Sequence, residues 1–408
     1  MNWPTVKLDD VMTVGRGSSP RPIKDERFFT GGTIPWVKIA DATASGKFIY
    51  QTNQHVNDYG ASFSRKLKPG ALIFPASGTL GIPRFLGVEA CIHDGWLYFS
   101  DYQGIDPDWL YYRIILLKDY YEGIAYGAAI QNINTDIVRN TEIQLPGLAT
   151  QRAMTAVLGA YDDLIATNQR RIALLEDAAR RLYREWFVHL HFPGYESVPV
   201  KNCVPDGWRK TPIAEQTSFF NRGIAPKYDD TAKGRVINQK CIRDGRISME
   251  PARRQSKDVK PDRLVRVGDV LINSTGAGTL GRVAQVRVPV EDCTVDTHVT
   301  IARPIDEGSS TYFGQALLNL EPIFSEMGKG ATNQLELSRS DIGAVEIWQP
   351  PQHLHVEFHR LVGPMLEQAE QLSVANLSLA KARDLLLPKL MSGQLDVSGI
   401  CLPEEIAP

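Results

Sequence analysis

The sequence predicts an α+β fold: two homologous, α/β-mixed modules separated by two long antiparallel coiled-coil helices, with approximate two-fold symmetry. Three observations predict it. The 408-residue chain repeats its short motifs at offsets of roughly 200–206 residues. Each repeat is a set of short apolar runs cut by Gly, Pro, Asn and Asp, followed by a helical pattern. Each repeat then gives way to a heptad seam sustained for over four heptads, the period that makes helices supercoil around a partner. The expected boundaries are 1–147 and 193–350 for the modules, 148–192 and 351–394 for the long helices, and 395–408 for a tail.

The duplication is read from paired motifs. Trp3 opens W-P-T-V-K-L and Trp208 opens W-R-K-T-P-I. Arg16-Gly17-x-x-Pro20-Arg21 returns as Arg222-Gly223-x-x-Pro226-Lys227, and Gly78-Thr79-Leu80-Gly81 as Gly278-Thr279-Leu280-Gly281. Asp136-Ile137, with Glu142-Ile143 before Pro146, returns as Asp341-Ile342, with Glu346-Ile347 before Pro350. A period this long means two domains, not a solenoid of short repeats.

Within the first module, Val37-Lys38-Ile39, Ala71 to Phe74 and Trp96 to Phe99 read as strands, and Leu110 to Tyr121 as a helix. The second module repeats the order with Val236-Ile237, Val270 to Ile272 and Val299 to Ile301, then a helix from Phe313 to Met327.

The first seam runs Met154, Leu158, Tyr161, Ile165, Asn168, Ile172, Leu175, Ala179, Leu182, Trp186, and Pro193-Gly194 closes it. The second runs Phe358, Val362, Met365, Ala369, Leu372, Asn376, Leu379, Arg383, Leu386, Leu390, each 204 residues on, with Pro364 placed to kink its first turns. Antiparallel pairing needs a constant index sum. Setting Asn168 against Asn376 also pairs Leu158 with Leu386, Ile165 with Leu379, Ile172 with Leu372 and Trp186 with Phe358. Arg383 then meets Tyr161. A seam asparagine costs stability unless another polar group faces it, and so fixes register. A rod of this kind would hold the modules apart like a ruler, at opposite ends of a seam spanning roughly 50 Å. Its two-fold symmetry would match that of a duplex.

Composition narrows the function. No run approaches a membrane span, and the start shows no basic-then-apolar secretory pattern. Five scattered cysteines without C-x-x-C suit a reduced, cytoplasmic compartment. The net charge of −2 speaks against a polyanion partner, but residues 201–290 hold 18 Lys/Arg against 9 Asp/Glu. Residues 1–150 hold 14 against 15. A phosphate-cradling P-loop, a glycine-rich nucleotide or methyl-donor fingerprint, an Asn-Pro-Pro-aromatic stretch and G-x-S-x-G are all missing. His353, His355 and His359 read as surface histidines, because H-V-E-F-H lacks the order a zinc protease needs. No catalytic or metal-binding group is assigned. Two other readings stay open: a duplicated nuclease, on fragments such as Asp258-Val259-Lys260, and a scaffold that binds protein or glycan.

What remains is loops rich in side chains that pair with base edges or phosphates. The candidates in the first module are Arg16, Arg21, Lys38, Ser77, Thr79, Arg84, Gln131, Asn132 and Asn134. Those in the second are Arg222, Lys227, Lys240, Arg243, Arg246, Ser274, Thr275, Arg282, Asn333 and Gln334.

Further segments complete the pattern: Ile143-Gln144-Leu145-Pro146 followed by Gln151-Arg152, Phe192-Pro193-Gly194, Val204-Pro205-x-Gly207-Trp208, and the run from Arg383 through Leu387-Pro388-Lys389-Leu390-Met391-Ser392 to Gly393. In this order and duplication, to about residue 398, the chain resembles the specificity subunit of type I restriction-modification enzymes. One departure is Gln349-Pro350-Pro351-Gln352-His353, which lacks the family's acidic-Gln-Arg sequence after the proline. The resemblance implies that each module is a target recognition domain, and that the chain is non-catalytic and reads a bipartite, asymmetric site in double-stranded DNA. It implies that the helices are spacer and docking site for two methyltransferase subunits, and that two restriction subunits can join them. S-adenosylmethionine, ATP and Mg2+ would then sit on partner subunits, and none on this chain.

Overall fold

The first module builds its sheet around Leu72–Pro75, whose four residues are all buried. A strand covered on both faces reads as a continuous apolar run, as this one does. The sheet order is Thr13–Arg16, Trp96–Ser100, Leu72–Pro75, Arg84–Leu86, Phe48–Ile49, antiparallel except for the last pair. A second sheet places Ile34–Val37 parallel to Ala90–Ile92. The computed structural model describes residues 3–78, 80–125, 132–330 and 335–397. It divides into two units, Met1–Thr167 with Asn376–Pro408, and Asn168–Ala375.

The second unit repeats the plan. Thr217–Arg222, Val299–Pro304, Val270–Asn273 and Val283–Gln285 form the main sheet in that order. Arg235–Ile237 runs parallel to Cys293–Val295, as Ile34–Val37 does to Ala90–Ile92. The helix that follows each sheet is broken at the same step. Pro107–Leu116 gives way to Lys118–Ile124 across Leu117, and Ser310–Asn319 to Glu321–Glu326 across Leu320. Both leucines sit near φ −85 to −90° with ψ close to zero. The single helices expected over Leu110 to Tyr121 and Phe313 to Met327 are therefore each two. The strand expected at Val37-Lys38-Ile39 ends at Val37. Lys38 caps a short helix, Ile39–Ala44, because the buried Asp41 carboxylate accepts the Lys38 backbone N–H at 2.8 Å.

Each module is closed by a two-stranded ribbon that joins a strand near its start to its last strand. Thr5–Lys7 pairs with Glu142–Gln144, and Arg209–Pro212 pairs with Glu346–Gln349. From these ribbons the chain enters helices Leu148–Phe187 and Gln352–Met391, each 40 residues long. Every expected seam position is buried or half-buried. In the first unit Met154 and Leu158 share a core with Leu386, Leu387 and Leu390. In the second, Ala179 and Trp186 share one with Phe358 and Val362, and the Trp186 and Phe358 rings lie 5.6 Å apart, as the index sum requires. Start-to-end packing within each unit is antiparallel. Full burial of one such aliphatic side chain contributes about 1.5–3 kcal/mol.

Two details of the seam differ from expectation. Arg383 meets Asp162, not Tyr161, with Nη1 donating to Oδ1 at 2.5 Å. The Tyr112 hydroxyl donates to the other carboxylate oxygen at 2.5 Å. Burial, reinforced by that carboxylate, holds the Tyr112 phenol well above its ordinary pKa, so it remains a donor. A tyrosine could satisfy only one guanidinium N–H; a carboxylate balances the charge as well. Pro364 does not interrupt the second helix. Asn376 donates Nδ2 to the Ile165 carbonyl at 3.3 Å, and Asn168 is buried.

The helix starts also differ. Gln151 is fully buried: Oε1 accepts the Asp106 N–H at 2.7 Å, and Nε2 donates to the Gly104 and Pro146 carbonyls. His355, 204 residues on, is buried too, which corrects its reading as a surface histidine. Its ring stacks on Tyr312, centroids 4.7 Å apart, and neither ring nitrogen has a hydrogen-bond partner among the described residues. Among the described residues no helix is long and apolar enough to cross a membrane.

Candidate nucleic-acid interface

The loop after the strand Thr13–Arg16, and its counterpart after Thr217–Arg222, is fixed by a glycine pressed against backbone. The Gly17 N–H donates to the Trp96 carbonyl at 2.8 Å, and a Cβ here would collide with the His93 carbonyl. The Gly223 N–H donates to the Val299 carbonyl at 3.1 Å, and a Cβ would collide with the Val295 carbonyl. Only glycine allows so close an approach. The neighbouring arginines, Arg16 and Arg222, are thereby set on equivalent rims.

In the first module the loop folds onto Asp94. Arg16 Nε donates to the Asp94 carbonyl at 2.7 Å, Ser19 Oγ to Oδ1 at 2.7 Å and Arg21 Nη2 to Oδ2 at 2.5 Å. Burial opposes ionisation of Asp94, but the Ser19 hydroxyl and Arg21 guanidinium outweigh it and hold the carboxyl below its usual pKa. Lys38 stands beside the Trp36 ring on a cavity of about 410 Å³ shared with Lys24, Gln54 and His93. Burial holds the His93 imidazole below its ordinary pKa, hence neutral near pH 7.

A second loop reaches the same rim in both modules through the same backbone contact. Ser77 bridges to Asn132, and the Ile133 N–H donates to the Ala76 carbonyl. Thr275 bridges to Glu336, and the Leu337 N–H donates to the Ser274 carbonyl. Asn134 and Ser338 then cap the next short helix, each accepting the N–H three residues on. In the second module this contact closes a groove of about 530 Å³ lined by Asn221, Arg222, Arg263, Glu336, Ser338 and Arg339. Arg222 Nη1 pairs with Glu336 at 2.6 Å, and Nη2 donates to the Leu337 carbonyl at 2.9 Å. Arg339 donates to Asn221 Oδ1. Three guanidinium groups against one carboxylate make a concave, positive surface suited to phosphate and guanine edges.

The structure sorts the remaining candidates. Lys227 and Lys240 are exposed, and so is Arg243, beside Asp244. Ser274, just past the strand Val270–Asn273, is fully buried with its hydroxyl 2.6 Å from that of Thr300, so it is a packing residue, and Thr275 is the counterpart of Ser77. Arg84 is spent on the Ala42 and Pro83 carbonyls, and Arg282 on the Gly278 carbonyl. Arg246 faces the helices: Nη2 pairs with Glu176 and Nη1 donates to Ser373, both at 2.8 Å. Much of the local basic excess is structural in this way. Arg235 and Arg254 clip loop carbonyls, and Arg287 joins Arg246 on Glu176. Thr79, Gln131, Asn333 and Gln334 lie outside the described residues.

Sequence reasoning missed Asp94, Arg263, Glu336 and Arg339. For Glu336 the signal was present. The offset of 204 that relates the long helices also relates Asn132 to Glu336, whereas the expected match was Asn333-Gln334.

The comparisons with known proteins agree with this architecture. A type I restriction modification DNA specificity domain matches residues 1–177. The specificity subunit of type I restriction enzyme MjaIX from Methanocaldococcus jannaschii is 25% identical over 97% of this chain and 94% of its own. That of HindI from Haemophilus influenzae is 21% identical over 86% and 92%. The crystal structure of a type I restriction-modification S subunit from M. genitalium superposes with a TM-score of 0.60 at 16% identity, covering 96% of both chains, and so shares the fold. Residues 1–177 thus match a type I restriction modification DNA specificity domain, and nearly the whole chain is similar to the specificity subunits of type I restriction enzymes and shares the fold of one.

Proposed function

We propose that the two modules read the two halves of a bipartite, asymmetric site in double-stranded DNA. The observation that carries this reading is the pair of matching rims. The same glycine-pinned loop and the same backbone bridge recur in both modules, but with different side chains, Asp94 and Asn132 in one and Glu336 and Arg339 in the other. Equivalent frames with unlike edges suit two unlike half-sites.

In this reading the long helices are the spacer, their register set by Asn168 against Asn376, and the docking site for two methyltransferase subunits, which restriction subunits can join. S-adenosylmethionine, ATP and Mg2+ belong to those partners. Single-molecule methylome sequencing of a host expressing the chain with its methyltransferase tests it. The expected result is methylation at one asymmetric motif with a fixed unread gap. A contiguous or palindromic motif would sink the reading.

A further inference from the structure

The bridge Ser77 to Asn132 in the first module and the bridge Thr275 to Glu336 in the second are one contact, duplicated. Their neighbours agree: Ile133 and Leu337 are both fully buried and both donate to the residue before the bridge partner. Asn132 and Glu336 are therefore a single structural position that carries different chemistry in the two copies.

The chemistry is not neutral with respect to bases. An asparagine amide offers a donor and an acceptor side by side, the complement of adenine's N7 and N6 amino group. Asn132 Oδ1 is buried and has no hydrogen-bond partner among the described residues, so no bond there holds the amide back from turning its edge outward to a base. Glu336 is an acceptor only, and its side chain is 56% exposed beside Arg222. A carboxylate accepts from the cytosine N4 amino group, and an adjacent guanidinium donates to guanine O6 and N7. Because those edges belong to one base pair, the Glu336–Arg222 couple matches a C·G pair as a unit. The plain alternative is that Glu336 only holds Arg222 in place.

We infer that position 132/336 sets base preference in each half-site: an adenine-containing pair for the first module and a C·G pair for the second. This rests on the DNA-reading role proposed above.

The test uses the full-length chain co-expressed with its methyltransferase and a pool of duplexes carrying two randomised blocks at graded separation, with sequencing of the bound fraction. Glu336→Gln keeps size and an acceptor for Arg222 but turns the edge into an adenine reader. It is expected to exchange C·G for A·T at one position of one half-site, by about tenfold or more, with the other half unchanged. Asn132→Ala is expected to relax one position of the opposite half. Unchanged motifs in both variants would overturn the inference and leave the DNA-reading role intact. Loss of a whole half-site in Glu336→Gln would also overturn it, by marking Glu336 as a support for Arg222. Failure of the unaltered chain to select any motif would instead overturn the DNA-reading role beneath it.

Discussion

The side chains of Gln151 and His355 occupy the same step of two homologous helices, yet one makes three hydrogen bonds and the other makes none among the described residues. The glutamine staples the helix start to the Gly104–Asp106 turn and to Pro146. The histidine gives up that staple and packs as an aromatic disc on Tyr312. The second helix start thus has an apolar stack where the first has a polar clip.

This exchange predicts an acid-sensitive second unit. Burial pushes the His355 imidazole down to about 4. Its folded-state pKa thus lies below the unfolded value near 6.5, and the unfolded chain binds more protons between the two. The contribution to stability is complete above about pH 6.5 and is lost as pH falls towards 4. Its ceiling is about 3 kcal/mol. Urea midpoints measured from pH 7 to pH 4 should fall for the unaltered chain and flatten for His355→Phe. Parallel profiles would refute the assignment.

Glu176 compensates two guanidinium groups, Arg246 at 2.8 Å and Arg287 at 3.2 Å, with side-chain exposures of 26% and 12%. Burial lowers the Arg287 pKa against the raising effect of Glu176, so the charge is costly and depends on its partner. Glu176→Ala should destabilise the second unit by about 3 kcal/mol, the low end for a broken buried pair because solvent reaches Arg246. Adding Arg287→Met should recover most of that loss, since the stranded charge goes with it. Chemical denaturation of the single and double variants decides between coupling and simple additivity.

Arg339 is exposed on the positive groove. Arg339→Ala should weaken DNA binding almost equally across sequences and lower the slope of log K against log salt by about one. A shift in the selected motif with no change in slope would recast Arg339 as a base reader.

The spacer role makes a mechanical prediction. One added heptad in each helix, between Thr167 and Asn168 and between Asn376 and Leu377, keeps the seam in phase and adds about 10 Å of rise. The optimal gap between half-sites should grow by about three base pairs at 3.4 Å each. Methylation assays over graded gaps provide the measurement, and an unmoved optimum would refute the ruler.

The seams were legible because periodicity is a local signal with a single geometric cause. Trp186 and Phe358 meet as arithmetic on their numbers requires. Arg383 shows the limit. Index sums bring residues to the same layer but do not say which neighbour's side chain turns inward, so Asp162 took the place expected for Tyr161. The rim was harder to read. Arg222 and Arg246 look alike in sequence, both in the basic stretch and each next to a glycine. Only the fold shows that one lines a groove and the other grips Glu176. Ser274 and Thr275 differ by one residue, yet one is buried against Thr300 and the other forms the bridge to Glu336.

The ribbons Val6 with Ile143 and Thr211 with Ile347 bring the two ends of each module side by side before the chain departs along a helix. Rim loops between those ends can therefore be lengthened, trimmed or exchanged while the core shared with the helices and the points of departure stay put. A lineage carrying such a chain can acquire a new reading preference by trading one loop of sequence for another, without redesigning the struts on either side.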